Sequence, residues 1–201
     1  LHINDMAYDP GDDSLVVSSR ENFLFKIDYE SGAIRWLFGD DNKHWFVNYP
    51  SLRALSVTLL DNGAVPIGQH TPTIEGAGQI LLFNNGWGST QNPPGTPAGI
   101  SLDSSRATRY RIDEGARTAE IMWNYDNGLS SLACSSVYQA GGEQGDYLLS
   151  YTTLDLASRS IIEIIDEAQT LLFQLEFPDL SCVSGLREAA IIRLESVNYR
   201  E

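Results

Sequence analysis

The sequence predicts an all-β protein built as part of a β-propeller. Three observations carry this. Short runs rich in β-branched and aromatic residues alternate with turn clusters along almost the whole chain. The runs fall into sets of four, each about the size of one propeller blade. A motif recurs in each set: a strand ends in Ile-Asp, turns, and returns as a strand bearing a large aromatic. It occurs at Ile27-Asp28 before Trp36, at Ile112-Asp113 before Trp123, and at Ile165-Asp166 before Phe173.

The first blade, residues 1–39, opens with a strand over 2–8. The cluster Asp9-Pro10-Gly11-Asp12-Asp13 turns it into a strand over 14–20. Strands at 23–28 and 33–38 follow, joined by Tyr29-Glu30-Ser31-Gly32. Residues 39–63 read as loop, with an aromatic piece at His44-Trp45-Phe46. The second blade, 64–126, has strands at 65–74, 79–85, 105–112 and 118–125. A Gly/Pro/Asn/Ser-rich insertion from Gly86 to Asp103 interrupts it, and loops of that length are often functional. The third blade, 132–178, has strands at 133–140, 146–152, 158–165 and 169–177. A helical reading of 155–166 fails because Ile161-Ile162-Glu163-Ile164-Ile165 favours strand. A further strand is expected within 186–199, around Ala189–Leu194. Three blades do not close a ring, and the chain opens inside a strand pattern. An N-terminal part of the propeller is therefore expected to lie outside this sequence. Open blade edges invite a second chain, which leaves a homo-oligomer open.

Composition narrows the function classes. The 201 residues carry a formal charge of −14, which argues against nucleic acid or an anionic membrane surface as partner. An anionic small ligand would need a local positive site. No apolar run is long enough to span a membrane. Two cysteines, Cys134 and Cys182, are too few for a disulfide scaffold and leave one bridge open. No phosphate-binding glycine loop and no clustered metal motif is present, so neither cofactor nor metal is expected.

The first hairpin offers a positive site. With Tyr8 opposite Ser14, His2 lies opposite Arg20 and Asn4 opposite Ser18. Strand side chains alternate, so all four share one face. An imidazole, an amide and a guanidinium then converge where a tetrahedral oxyanion could sit. A one-residue slip would send Arg20 to the other face. His44, beside Trp45, reads as a loop-packing residue.

Five motifs in order resemble the bacterial, PAPS-independent arylsulfate sulfotransferases. They are His2-x-Asn4; Ser18-Ser19-Arg20; Gly68-Gln69-His70-Thr71; Leu82-Phe83-Asn84-Asn85-Gly86; and Ser105-Arg106-Ala107 with Tyr110-Arg111-Ile112-Asp113. The likeness runs from residue 2 to about 125. It implies a six-bladed β-propeller in an extracytoplasmic, periplasmic setting. It implies transfer of a sulfuryl group from an aryl sulfate donor to a phenol acceptor. It makes His70 the nucleophile, transiently sulfated, and gives His2, Asn4 and Arg20 the sulfuryl oxygens. A further histidine would come from an earlier blade. The chain departs from the family in having no cysteine within 50–68, in Asp5 after Asn4, and in Asn84 where an aspartate is expected.

Such chemistry would be a double displacement with ping-pong kinetics. Trp45, Phe46, Trp87 and Tyr110 are the candidate aromatic walls for a phenol. The competing class is a propeller that binds ligands or partners without catalysis, since propellers host many functions. A Ca²⁺-dependent propeller hydrolase would need a ligand cluster, and Asp12, Asp13, Asp40 and Asp41 read instead as turn residues.

Overall fold

A computed structural model describes residues 2–76, 78–88, 92–140, 145–155, 158–178 and 182. The chain is sheet-dominated, as expected, and compatible with a β-propeller. The expected strand within 186–199 lies outside the described residues.

Three antiparallel meanders account for almost all of it. The first contains β1 (Ile3–Asp9), β2 (Ser14–Ser19), β3 (Phe23–Asp28) and β4 (Ile34–Gly39), in that order. Aspartates close its turns: Asp9 Oδ1 accepts the Gly11 N–H at 3.0 Å, and Asp28 Oδ1 accepts the Ser31 N–H at 2.9 Å. The second sheet has β6 (His70–Gly76), β7 (Gln79–Asn84), β8 (Arg106–Asp113) and β9 (Thr118–Tyr125). The third has β10 (Ser136–Gln139), β11 (Tyr147–Leu154), β12 (Arg159–Ile165) and β13 (Leu171–Pro178).

Residues 39–63 are more than loop. They form α1 (His44–Asn48), α2 (Pro50–Arg53) and β5 (Thr58–Leu59), which adds to β9 in parallel. The helices span barely a turn each, too short for a 3.6-residue period to show. Trp45, with Phe46, Leu52 and Leu55, covers the outer face of the first sheet over Val17, Phe23, Phe25 and Leu37. Burial of this apolar face, rather than helix propensity, holds the segment in place.

The sheets pack face to face around β7. Its Ile80 and Leu82 join Val16, Leu24, Trp36 and Phe38 of the first sheet. Its Leu81 and Phe83 join Tyr147, Leu149 and Tyr151 of the third. Period-two alternation thus gives β7 two buried faces and two separate cores. Tyr110, an expected aromatic wall, belongs to the first of these cores; it is fully buried and its hydroxyl donates to Ala64 O. The leading strands of the sheets, β1, β6 and β10, are neighbours. This brings the starts of β1, β6 and β10 together at one end.

Candidate active site

The hairpin reaches its expected pairing by an unexpected route. The turn is one residue tighter than expected, because Asp9 rather than Tyr8 opposes Ser14. The offset persists to Asp5 opposite Ser18, and the register then shifts so that Ile3 opposes Ser19. The extra residue is Asn4, a β-bulge. Beyond it the Arg20 N–H donates to His2 O at 2.9 Å. His2 and Arg20 are thus paired as expected, whereas Asn4 leaves the ladder instead of opposing Ser18.

The released amide has a use. Asn4 Nδ2 donates to Gln69 O at 2.8 Å, and Ser18 Oγ donates to the same oxygen at 3.1 Å. Gln69 Nε2 returns a bond to Ser19 O at 3.1 Å. Gln69 is buried, so these bonds lock the end of the first hairpin to the start of β6. Gly68 makes the close approach, with φ +62°; a Cβ there would stand 2.5 Å from Trp87 O.

His70 follows, and its ring is held by two acceptors. Nδ1 lies 2.7 Å from Asn85 Oδ1 and 3.2 Å from Gly68 O. Asn85 Nδ2 donates to Ser131 O at 2.8 Å, which fixes the amide with its oxygen toward the imidazole. Nδ1 therefore carries the proton and Nε2 the lone pair. Burial, reinforced by the charges of Arg20 and His2 and opposed by the Asn85 and Gly68 bonds, pushes the His70 pKa down to about 4. At neutral pH the ring is uncharged, with a defined tautomer.

Arg20 is 9% exposed and held at two points. One terminal nitrogen pairs with Glu21 Oε1 at 2.7 Å, and the other donates to Leu132 O at 3.0 Å. Lys43 Nζ donates to Glu21 O, tying the β2–β3 turn to the start of α1. Burial pushes the Lys43 pKa down, while Glu21 and Asp40 pull it up.

The support behind Asn85 is a buried serine and threonine network. Ser131 Oγ and Ser135 Oγ lie 2.8 Å apart, and the Ser135 N–H donates to Thr152 Oγ1 at 2.9 Å. A disulfide between Cys134 and Cys182 clips the same loop. Sequence reasoning named His2, Asn4, Arg20 and His70, and the fold brings all four to one end. It missed Asn85, Gln69 and Glu21 as partners. Asn85 stood inside a quoted motif, next to Gly86 at the end of a strand, and that strand-end position was its only signal.

A larger cavity, about 710 Å³, is elsewhere, at the far end of β1. There Lys26 Nζ bridges Asp9, Asp12 and Glu114, and the surrounding carboxylates would repel a sulfate ester. No helix among the described residues is long and apolar enough to cross a membrane.

The fold and site define a sheet-dominated protein with an oriented, uncharged histidine near a buried Arg20–Glu21 ion pair. The arylsulfotransferase (ASST) family profile matches residues 1–184, and the chain belongs to that family. It is similar to the arylsulfate sulfotransferase AssT of Escherichia coli O6:H1, at 28% identity over 138 residues. The AssT of Lelliottia amnigena matches at the same identity and length. The match covers 62% of this chain and 22% of each relative, so the chain spans a minor part of their length.

Proposed function

We propose that this chain is the catalytic portion of a six-bladed propeller that moves a sulfuryl group between phenols. It contributes the blades at about 1–39, 64–126 and 132–178. The observation that carries the reading is His70: a half-buried imidazole whose Nδ1 proton is committed to Asn85, leaving the Nε2 lone pair for sulfur.

Nε2 attacks the sulfur of an aryl sulfate. The N–S bond forms as the S–O bond to the ring breaks, and the phenolate leaves with that electron pair. Transfer of this kind passes through a loose, in-line transition state whose charge sits on the equatorial oxygens. Arg20 and His2 stabilise those oxygens, and Asn4 fixes the backbone that carries His70. A second phenol loses its proton to water, attacks the same sulfur and breaks the N–S bond, returning the lone pair to His70. The buried Arg20 offsets the repulsion that an acidic chain would exert on an anionic ester. The disulfide supports an extracytoplasmic, periplasmic location.

The test is the intact mass of the full-length protein mixed with an aryl sulfate and no acceptor, with His70→Ala beside it. A gain of one sulfuryl group, absent in the variant and discharged by added phenol, is expected. No gain and no phenol released would overturn the reading.

A further inference from the structure

A second cavity, about 370 Å³, opens beside the Arg20–Glu21 pair. It shares Glu21, Asn22 and Lys43 with the surroundings of Arg20, and its other walls include His2, Phe23, His44, Trp45 and Tyr49. Two edge-on ring pairs build those walls. Phe23 and Trp45 have centroids 5.1 Å apart at 80°, and His44 and Tyr49 are 5.2 Å apart at 89°. Small-molecule sites run from roughly 300 Å³ upward, and an apolar void of about 150 Å³ already accepts benzene.

The long insertion completes the rim. At Gly99, φ is +80°, and a Cβ there would stand 2.7 Å from Asp40 Oδ2 and 3.1 Å from Lys43 Cε. The Ile100 N–H donates to Asp40 Oδ2 at 2.7 Å. The insertion is thereby pinned to the start of α1. Asn92, whose Nδ2 donates to Ala98 O at 3.0 Å, and Pro93 then stand at the mouth.

We propose that this cavity is the aryl subsite, a reading that rests on the sulfuryl transfer proposed above. It takes the phenolic ring of the donor ester and, after the phenol leaves, the ring of the acceptor. One subsite serves both, because leaving and entering oxygens depart from and approach sulfur on the side away from Nε2. His2 stands at the junction: it lines the cavity, and its carbonyl accepts the Arg20 N–H at 2.9 Å. A ring among Phe23, His44, Trp45 and Tyr49 therefore directs its oxygen past His2 toward Arg20 and His70. His44, which packs on Tyr49 as a loop-packing residue would, is on this reading also a wall of the substrate site. Its Nδ1 accepts from Asn48 Nδ2 at 2.6 Å, which leaves an N–H on Nε2.

The test separates binding from transfer. In full-length protein carrying His70→Ala, naphthol and nitrophenyl sulfate are titrated against intrinsic tryptophan fluorescence. Adding Tyr49→Ala or His44→Ala is expected to weaken both ligands by roughly three- to tenfold, the worth of one aromatic contact. Tyr49→Phe is expected to retain affinity, which excludes a general loss of structure. Unchanged affinity for both ligands in both alanine variants overturns the subsite. Tyr49- and His44-dependent binding in a protein whose His70 never becomes sulfated would keep the subsite and overturn the transfer.

Discussion

Asn85 Oδ1 accepts the Nδ1 proton of His70 across 2.7 Å, and Ser131 O prevents the amide from turning over. An asparagine thus performs a task that a carboxylate often performs beside a working histidine, without adding charge. It selects the tautomer and raises the ring pKa through its hydrogen bond, without the added charge of an anion.

Asn85→Ala should therefore slow sulfation of His70. Partners that orient working histidines in metal sites are worth roughly ten- to a hundredfold, and a similar loss is expected here. Nitrogen NMR of the imidazole provides the check: proton on Nδ1 in the native protein, a mixture of tautomers in the variant. An unchanged tautomer with an unchanged rate would remove Asn85 from the mechanism.

The pH dependence follows from the depressed His70 pKa. Above pH 6.5 the ring is neutral whether folded or unfolded and contributes nothing to the slope. As pH falls from 6.5 toward 4, the unfolded chain takes up a proton that the folded site refuses, so stability falls. The loss is complete below about 4 and on the order of 3 kcal/mol. Denaturation curves at several pH values should show this slope, and His70→Gln should flatten it. The rate of sulfation should hold from pH 7 to 5 and drop near 4.

The Cys134–Cys182 bridge closes a loop across 48 residues of sequence separation. Chain entropy puts its worth at about 4 kcal/mol. Cys134→Ser should lower the unfolding free energy by an amount of that order in denaturant titrations. It should also loosen the Ser131–Ser135 loop behind Asn85, so activity should fall before the fold is lost.

Gly68→Ala places a methyl group 2.5 Å from Trp87 O on a backbone with φ +62°. Both the contact and the dihedral oppose it, and a loss above roughly 2 kcal/mol is expected. Thermal unfolding measures the loss, and intact mass should show sulfation failing with it.

Lys26 is buried among Asp9, Asp12 and Glu114, which join the first sheet to the second. Lys26→Met would leave Asp9 and Glu114 without their cation, while Asp12 keeps Arg35. A cost of roughly 3 kcal/mol is expected, relieved at acid pH as the carboxylates protonate. A stability insensitive to the change would mean that water already screens the cluster.

The sheets were legible in the sequence because turn chemistry is local: Asp9, Asp28 and Asp113 each cap a turn through their own side chains. The pairing of His2 with Arg20 was legible as well, although the turn assumed for it was one residue too loose. What escaped depends on distant segments. The bulge at Asn4 is stabilised by Gln69, 65 residues away, and no local pattern announces it. Trp45 and Leu52 took helical form to cover a sheet face, which a one-turn helix cannot signal. Asn85 becomes the partner of His70 only when β6 and β7 are side by side, and the carbonyl that orients it comes from a third segment.

The bulge at Asn4 also couples the two ends of β1. One residue added to the turn after Asp9 would let the strands run in a single register along their whole length. Asn4 would then fall back into the ladder, and its amide would turn away from Gln69 O. The anchor beneath His70 is thus set by a loop roughly 20 Å off, at the other end of a seven-residue strand. Turn length, which elsewhere on a surface drifts without consequence, is here a dimension of the active site.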